Sequence, residues 1–371
     1  YKRDCRNMMD TKVGKDDQTG TPPKQGNLRD SNSEENNLLF TDEYKQALEK
    51  ASYEIVGNHS AVEICGWTKK GLKEEGGCYK QKFYGIRSHQ CTQMTPAAVA
   101  CDQKCVYCWR VNEMFSGQQD LMEYANDDPA DVVQGSIEGH LRKLSGFGGN
   151  PKIDKQKFLE SQTVRHFAIS LTGEPTLYKE LPGMIRELKR RKISSFLVTN
   201  GLHPEMIERL RDEDSLPTQL YMSLDAPDRR TWKRIDIPLV PNFWDKIHST
   251  LSLMDGLQTR KVLRMTVVKG WNDFDIPGYA ELIKMAGEKV MIEVKSYMHL
   301  GPARKRLSKE NMLTYDEILD FSNKLASELG WKVIDEAPNS LIALVAEEDW
   351  DGRVMDFGDP LTGHLEPSFT C

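Results

Sequence analysis

The sequence predicts an α/β fold in which about six βα units form a partial barrel. From residue 160 onward, short β-branched or aromatic runs alternate with amphipathic helical stretches, a pattern typical of parallel strands joined by helices. The 371 residues suffice for one barrel-sized domain. A hydrophobic content of 39% and a charged content of 29% are ordinary for a globular protein.

The elements follow from these periodicities. We expect strands at 164–171, 194–198, 219–223, 262–268, 290–294, 331–334 and 341–345. We expect helices at 181–192, 204–211, 242–254, 276–286 and 315–329. A further helix begins after Thr41, which can cap it, and continues to Val56. In such folds the chemistry lies at the C-terminal ends of the strands.

Composition divides the chain into four segments. Residues 1–37 are polar without hydrophobic period, which predicts a disordered or flexible segment. Residues 38–95 form a cysteine-rich N-terminal extension, more loop than regular element, and residues 96–346 form the barrel. Residues 347–371 form an acidic C-terminal tail.

Charge is unevenly distributed. The net charge is −6, and the acidic stretch 347–366 accounts for it, so the remainder is balanced. Basic runs at 189–192, 229–234 and 304–306 are either nucleic-acid contacts or solvated helix faces. No apolar run approaches the roughly 20 residues that span a bilayer, and no signal-peptide core is present. We therefore predict a cytoplasmic monomer without membrane contact.

The strongest local signal is the CX3CX2C motif of Cys101, Cys105 and Cys108. Three thiolates on one short loop hold three irons of a [4Fe–4S] cube and leave the fourth iron open, as a catalytic metal site requires. The alternative is a zinc knuckle that takes a fourth ligand from elsewhere, such as His89.

A second triplet lies upstream at Cys65, Cys78 and Cys91, with twelve residues in each interval. It again supplies three ligands, so a second cluster would also have an open iron. Free thiols or a zinc site are the alternatives.

Small and polar residues follow three predicted strands. Thr172, Gly173 and Glu174 follow the first, and Asn200 and Ser223 lie at the ends of the next two. Glycine lets the backbone approach a ligand closely, and a carboxylate complements an ammonium group. Turn capping is the alternative for each of these residues.

The CX3CX2C motif, with Tyr107 before its last cysteine, resembles the radical S-adenosylmethionine (SAM) superfamily. The CX12CX12C motif nine residues upstream narrows the resemblance to the tRNA 4-demethylwyosine synthases, and it extends over residues 40–346. Further matching segments are 77–80, 83–86, 108–110, 171–175 and 193–200.

This resemblance implies a radical SAM barrel with two [4Fe–4S] clusters and bound SAM. Cys101, Cys105 and Cys108 would hold the SAM-binding cluster, and Cys65, Cys78 and Cys91 the second. Tyr107, Thr172, Gly173, Glu174, Asn200 and Ser223 would contact SAM.

The implied reaction converts N1-methylguanosine beside the anticodon of phenylalanine tRNA into 4-demethylwyosine, with pyruvate as the carbon donor. Lys80, two residues after Cys78, would be catalytic. Lys80 would either form a Schiff base with the pyruvate carbonyl or form an ion pair with the pyruvate carboxylate. We favour the ion pair, because chelation by the open iron already activates the carbonyl.

The chain resembles the shorter archaeal members, which lack the flavodoxin-like domain, so we expect an external electron donor of the flavodoxin or ferredoxin type. Two alternatives are a radical SAM enzyme acting on a peptide or small metabolite, and a zinc-dependent RNA-binding module without enzymatic activity.

Overall fold

A ten-stranded mixed sheet is the framework of the computed structural model, which describes residues 39–110 and 117–362. The strands are β1 (Glu54–Val56), β2 (Ser60–Glu63), β3 (Cys91–Thr95), β4 (His166–Ile169), β5 (Ser194–Thr199), β6 (Gln219–Ser223), β7 (Arg260–Val267), β8 (Val290–Ser296), β9 (Lys332–Ala337) and β10 (Ile342–Ala346). Their spatial order is β1-β2-β3-β4-β5-β6-β7-β8-β10-β9. Strands β3 to β8 are mutually parallel, which confirms the prediction of about six βα units in an unclosed barrel.

Eleven α-helices precede, connect or follow the strands within the described residues. They are α1 (Asp42–Lys50), α2 (Gly66–Leu72), α3 (Tyr79–Tyr84), α4 (Pro129–Ser145), α5 (Lys155–Ser161), α6 (Leu181–Arg190), α7 (Pro204–Asp212), α8 (Arg229–Ile235), α9 (Phe243–Asp255), α10 (Ile276–Met285) and α11 (Tyr315–Leu329). The prediction for α11 is matched at both ends because Thr314 and Glu317 form a capping box and Gly330 ends the helix at a left-handed φ of 72°.

The two faces of the sheet have different partners. On β7, Leu263 and Met265 belong to the large hydrophobic core that includes the connecting helices, whereas Val262 belongs to a smaller cluster on the concave face. This alternation follows from the two-residue period of a strand. Phe83 and Tyr84 of α3 belong to the same concave cluster, so α3 fills part of the barrel interior.

Two predictions for the N-terminal part are wrong. The helix that Thr41 caps ends at Lys50 rather than Val56, since Ser52 adopts a left-handed φ of 65° and Glu54–Val56 forms β1. The cysteine-rich segment is also more regular than expected, because it contains α2, α3 and β3. The predicted disorder of residues 1–37 falls outside the described residues.

The described part of the acidic C-terminal stretch packs against the barrel. Arg353 is 7% exposed, donates to the carbonyl oxygen of Phe83 and pairs with Asp335 and Asp349. Phe357 packs on His166 with ring centroids 4.5 Å apart. Side-chain pairing thus holds these acidic residues on the protein.

Among the described residues, no helix is both long enough and apolar enough to cross a bilayer.

We predict that Arg353→Ala lowers the free energy of unfolding by about 2–3 kcal/mol, because it leaves the Phe83 carbonyl and two carboxylates without their buried donor. Anaerobic denaturant titration measures this difference. Arg211→Ala is the matched control, since Arg211 makes only an exposed ion pair with Asp212, and we expect it to leave the free energy of unfolding almost unchanged. Equal effects of the two substitutions would contradict the assignment.

Candidate functional site

The loop after β3 carries Cys101, Cys105 and Cys108, which are half-buried and form no disulfide bond among the described residues. Backbone hydrogen bonds attach it to the segment after α8: the amides of Lys104 and Val106 donate to the carbonyls of Asp236 and Ile235, respectively. Arg306 donates to the carbonyl oxygen of Cys108 at 2.5 Å. These hydrogen bonds hold the loop against the end of α8 and the segment that carries Arg306.

These thiols lie in a medium that favours the protonated form. Burial raises the pKa of Cys101 well above its usual value, and Asp102 and Glu174 raise it further. Burial also raises the pKa of Cys105, together with Asp236 and the neighbouring thiols. Iron is the counter-charge that would stabilise the thiolates.

The second triplet is also assembled in space. Cys65 and Cys78 lie at the positions that precede α2 and α3, and Cys91 is the first residue of β3. Burial raises the pKa of Cys78 to about 11, with a further contribution from Cys65. Burial raises the pKa of Cys91 as well, followed by the charges of the other two thiolates.

Ser88 and Thr68 tie the three segments together. The amide of Cys78 donates to the Ser88 hydroxyl at 2.8 Å. The Thr68 hydroxyl, on α2, donates to the carbonyl oxygens of Ser88 and Cys91 at 3.0 and 3.4 Å. Residues far apart in sequence thus share one hydrogen-bond network.

The two triplets lie at opposite ends of β3. Cys91 begins the strand and the Cys101 loop follows Thr95, and a rise of about 3.3 Å per residue makes the strand about 13 Å long. His89 precedes the strand, and its Nε2 atom is 2.6 Å from Glu160. His89 is therefore not placed as a fourth ligand for the Cys101 triplet.

Within residues 39–110 and 117–362, no group of three or more His, Cys, Asp or Glu side chains is placed to hold a metal ion. Each thiolate of a [4Fe–4S] cluster binds a different iron. The three sulfur atoms therefore lie farther apart than the ligands of a single metal ion. Three thiols on a fixed frame, without a fourth side-chain ligand, fit that requirement.

The strand end at Gly173 requires glycine. Its φ is 69°, and a Cβ atom there would lie 1.8 Å from the carbonyl oxygen of Ala97. The Glu174 carboxylate accepts hydrogen bonds from the Thr176 amide and hydroxyl, the Thr199 hydroxyl and the Asn200 amide. Glu174 therefore joins the ends of β4 and β5, and its contact with SAM stays a prediction.

Polar atoms remain available at these strand ends. The buried Thr172 hydroxyl and the buried Gln103 amide nitrogen have no hydrogen-bond partner among the described residues. The Asn200 side chain is engaged, since it donates to Asp102 at 2.6 Å and accepts from the Leu202 amide. Unpartnered buried polar atoms fit a site that a polar ligand completes.

The Tyr107 hydroxyl lies between two carboxylates, 2.6 Å from Asp225 and 2.8 Å from Asp236. A phenol donates only one hydrogen bond, so the second contact requires a proton on one carboxyl group. Burial raises the pKa of Asp225 to about 6, and burial and the Asp225 charge raise that of Asp236. Sequence reasoning assigned Tyr107 but missed Asp236.

Lys80 is 7% exposed and points into the concave face. Its Nζ atom lies 4.0 Å from the ring centroid of Tyr221 and 5.6 Å from that of Phe196. Burial lowers the pKa of Lys80, against the opposing charge of Glu293. Aromatic rings replace the hydrogen-bonding side chains that usually surround a buried ammonium group.

Two charged residues face the barrel interior near Lys80, and sequence reasoning missed the first of them. Glu293 on β8 is fully buried, and Arg264 is its neighbour on β7. The available signal was a charged residue within each apolar run, 290–294 and 262–268. Ser223 at the end of β6 pairs in register with Arg264, which places this predicted residue at the same level of the barrel.

Comparisons with known proteins agree with this arrangement. The sequence model of the radical SAM superfamily matches residues 153–283, and that of wyosine base formation matches residues 286–347. The second match covers β8 to β10, and thus Glu293.

Full-length relatives extend the similarity. The S-adenosyl-L-methionine-dependent tRNA 4-demethylwyosine synthase of Pyrococcus horikoshii is 44% identical over 83% of this chain and 90% of its own length. The synthase of Pyrococcus abyssi is 43% identical over 85% of this chain and 92% of its own length. A solved structure of TYW1 with a lysine–pyruvate adduct bound superposes with a TM-score of 0.74 at 35% identity, covering 85% of this chain and 100% of that one.

We predict that Gly173→Ala weakens SAM binding by at least about tenfold, because the new methyl group displaces the backbone that leads into the Cys101 loop. Equilibrium binding of SAM to the anaerobically reconstituted protein measures this. Gly256→Ala is the control, since its φ is −88° and no atom lies within 4 Å of its added Cβ. Unchanged SAM affinity in the Gly173 variant would refute the placement of SAM at this strand end.

Proposed function

Because this chain belongs to the family of S-adenosyl-L-methionine-dependent tRNA 4-demethylwyosine synthases, we propose that it converts N1-methylguanosine at position 37 of phenylalanine tRNA into 4-demethylwyosine with pyruvate as the carbon donor. The chain is a radical SAM enzyme by the same relationship. Family membership also argues against a non-enzymatic RNA-binding module and against a peptide or metabolite substrate.

One observation carries this proposal. The Lys80 amine lies in the barrel interior beside the Cys78 triplet, with aromatic rings around it and no hydrogen-bond partner among the described residues. Such an amine is placed to react with a carbonyl group. The adduct in the related structure joins a lysine to pyruvate, which supports a covalent role for Lys80 over the charge role that sequence reasoning favoured.

We assign each of the two proposed clusters to one cysteine triplet. Cys101, Cys105 and Cys108 would hold the SAM-binding cluster, and Cys65, Cys78 and Cys91 the second. When bound, the first cluster and SAM supply the radical that removes a hydrogen atom from the N1-methyl group. Thr172 and Ser223 would bind SAM by hydrogen bonds, while Tyr107 closes that side of the chamber.

Lys80 would bind pyruvate as an imine. Its neutral amine adds to the keto carbon, the keto oxygen leaves as water, and a C=N bond replaces the C=O bond. The Tyr221 and Phe196 rings limit the water around the amine, which favours the condensed form. The adduct would then present an electrophilic carbon to the substrate methyl group.

The tRNA must bring its base to the strand ends. The target methyl group is inaccessible in a stacked anticodon loop, so we propose that the base is flipped into the barrel mouth. Trp109 follows Cys108 and is 42% exposed. The Cζ atom of Arg110 lies 3.6 Å from the centroid of its ring, and such a pair offers a surface on which a base can stack. A flavodoxin- or ferredoxin-type donor would reduce the first cluster.

We predict that Cys78→Ala loses about half of the iron of the anaerobically reconstituted wild type, because one cube of four irons is lost and the other remains. Cys101→Ala is the matched variant and should lose a similar share through the other cube. Iron and sulfide analysis per chain measures both. Full iron content in the Cys78 variant would exclude the second cluster.

We also predict that borohydride fixes labelled pyruvate on wild-type protein and that Lys80→Gln abolishes this labelling, since an amide cannot form the imine. Lys82→Gln is the control, because Lys82 is more than half exposed and pairs with Asp335. Mass spectrometry of the peptide around residue 80 locates the adduct. Undiminished labelling of the Lys80 variant would show that another group carries pyruvate.

A further inference from the structure

Arg264 occupies a central position in the barrel. It lies on β7 between Ser223 of β6 and Glu293 of β8 in the sheet register. Val262, two residues earlier on the same face of the strand, belongs to the concave hydrophobic cluster. The Arg264 side chain therefore faces the chamber that contains Lys80.

The guanidinium of Arg264 has no hydrogen bond or ion pair with any residue in the described ranges, although a carboxylate lies on the adjacent strand. That carboxylate, Glu293, is occupied: its two oxygens accept hydrogen bonds from Tyr79 at 2.9 Å and Tyr84 at 2.8 Å. An always-charged group without a counter-ion in a half-buried position is costly, and an anionic ligand would relieve that cost.

The surroundings of Arg264 are cationic. Lys80 and Lys295 are both within electrostatic range of it, so three cationic side chains face one carboxylate. Lys295 is already engaged, since its ammonium group donates to the carbonyl oxygen of Ser340. Lys80 is needed for the imine, so Arg264 is the one of these three cationic side chains that is left to bind an anion.

The position of Arg264 favours the Lys80 side of the chamber over the SAM side. Its register partner on β8 is Glu293, whose carboxylate accepts hydrogen bonds from Tyr79 and Tyr84 of α3, whereas Asp225 lies beyond the end of β6. Tyr79 immediately precedes Lys80 on α3. A small molecule bound to Lys80 would thus reach Arg264, while the Asp225 carboxylate already accepts from Tyr107 and the Thr266 amide.

We propose that Arg264 binds the carboxylate group of the 2-oxo acid whose keto carbon reacts with Lys80, and that this contact selects a 2-oxo acid over a neutral ketone. The inference rests on the proposed function. A guanidinium presents paired N–H donors that match the two oxygens of a carboxylate. The carboxylate and keto carbons are adjacent, so one anchored oxygen pair fixes the orientation of the carbon that Lys80 attacks.

The test compares pyruvate with pyruvamide, which has the same methyl ketone but no negative charge. Borohydride trapping on the anaerobically reconstituted protein gives the concentration of each compound that half-saturates labelling. For wild type we expect pyruvate to be preferred by about tenfold or more. Arg264→Gln should raise the half-saturating concentration of pyruvate about 10- to 100-fold and leave that of pyruvamide almost unchanged. The variant should therefore lose the preference for pyruvate over pyruvamide.

A second variant and a control complete the design. Arg264→Lys keeps the charge without the paired donors and should give an intermediate preference, and it also serves if the glutamine variant does not fold. Lys269→Gln removes a positive charge just beyond β7, where Lys269 pairs with exposed Glu317, and should trap both compounds as wild type does. Iron content and SAM affinity of the variants should match wild type.

The possible results distinguish a failure of the proposed function from a failure of the Arg264 assignment. If wild type traps no pyruvate, the proposed function fails. If wild type traps pyruvate but does not prefer it to pyruvamide, or if Arg264→Gln changes both compounds equally, the assignment to Arg264 is overturned. Weaker SAM binding with unchanged pyruvate trapping would overturn it as well, by placing Arg264 at the other ligand.

Discussion

The carboxylate of Glu293 determines where the short helix α3 lies inside the barrel. It is fully buried on β8, and its two oxygens accept hydrogen bonds from Tyr79 and Tyr84. Burying a carboxylate without such donors would cost several kcal/mol, so the two tyrosines must stay in place. Both belong to α3, the helix that begins next to Cys78 and carries Lys80.

That one contact positions the rest of the interior. With α3 fixed against β8, Cys78 approaches Cys65 and Cys91, and Lys80 lies over the Tyr221 ring. Because Glu293 is satisfied by neutral hydroxyl groups, it makes no ion pair with Arg264. The pairing that anchors the helix therefore also leaves a cation available to a ligand.

Strand β3 lies between the two cysteine triplets. The Cys91 triplet lies at its beginning and the Cys101 triplet beyond its end, so the ligands of the two proposed clusters approach the chamber from opposite sides. SAM would bind at the strand ends, where Gly173 and Thr172 lie. Pyruvate would bind deeper, beside Lys80. In the proposed reaction, this separation would keep the radical source apart from the amine-bound pyruvate until the base enters between them.

The sequence predicted whatever depends on local spacing. The βα alternation predicted the parallel strands, and the intervals between the cysteines indicated the two triplets, whereas the role of Lys80 came from the family resemblance. The position of α3 was not evident from the sequence, because it depends on contacts of Tyr79 and Tyr84 with a residue more than 200 positions away. Glu293 received no assignment from the sequence, because its inward position depends on the long-range hydrogen bonds from Tyr79 and Tyr84.

The most direct test of two open clusters is anomalous diffraction at the iron edge from crystals of the anaerobically reconstituted protein with SAM and pyruvate. We expect two separate iron peaks, one beside Cys101 and one beside Cys78, each cube bound by three cysteine thiolates and with a fourth iron that no protein side chain binds. A single peak, or a cube whose four irons are all bound by protein side chains, would contradict the account.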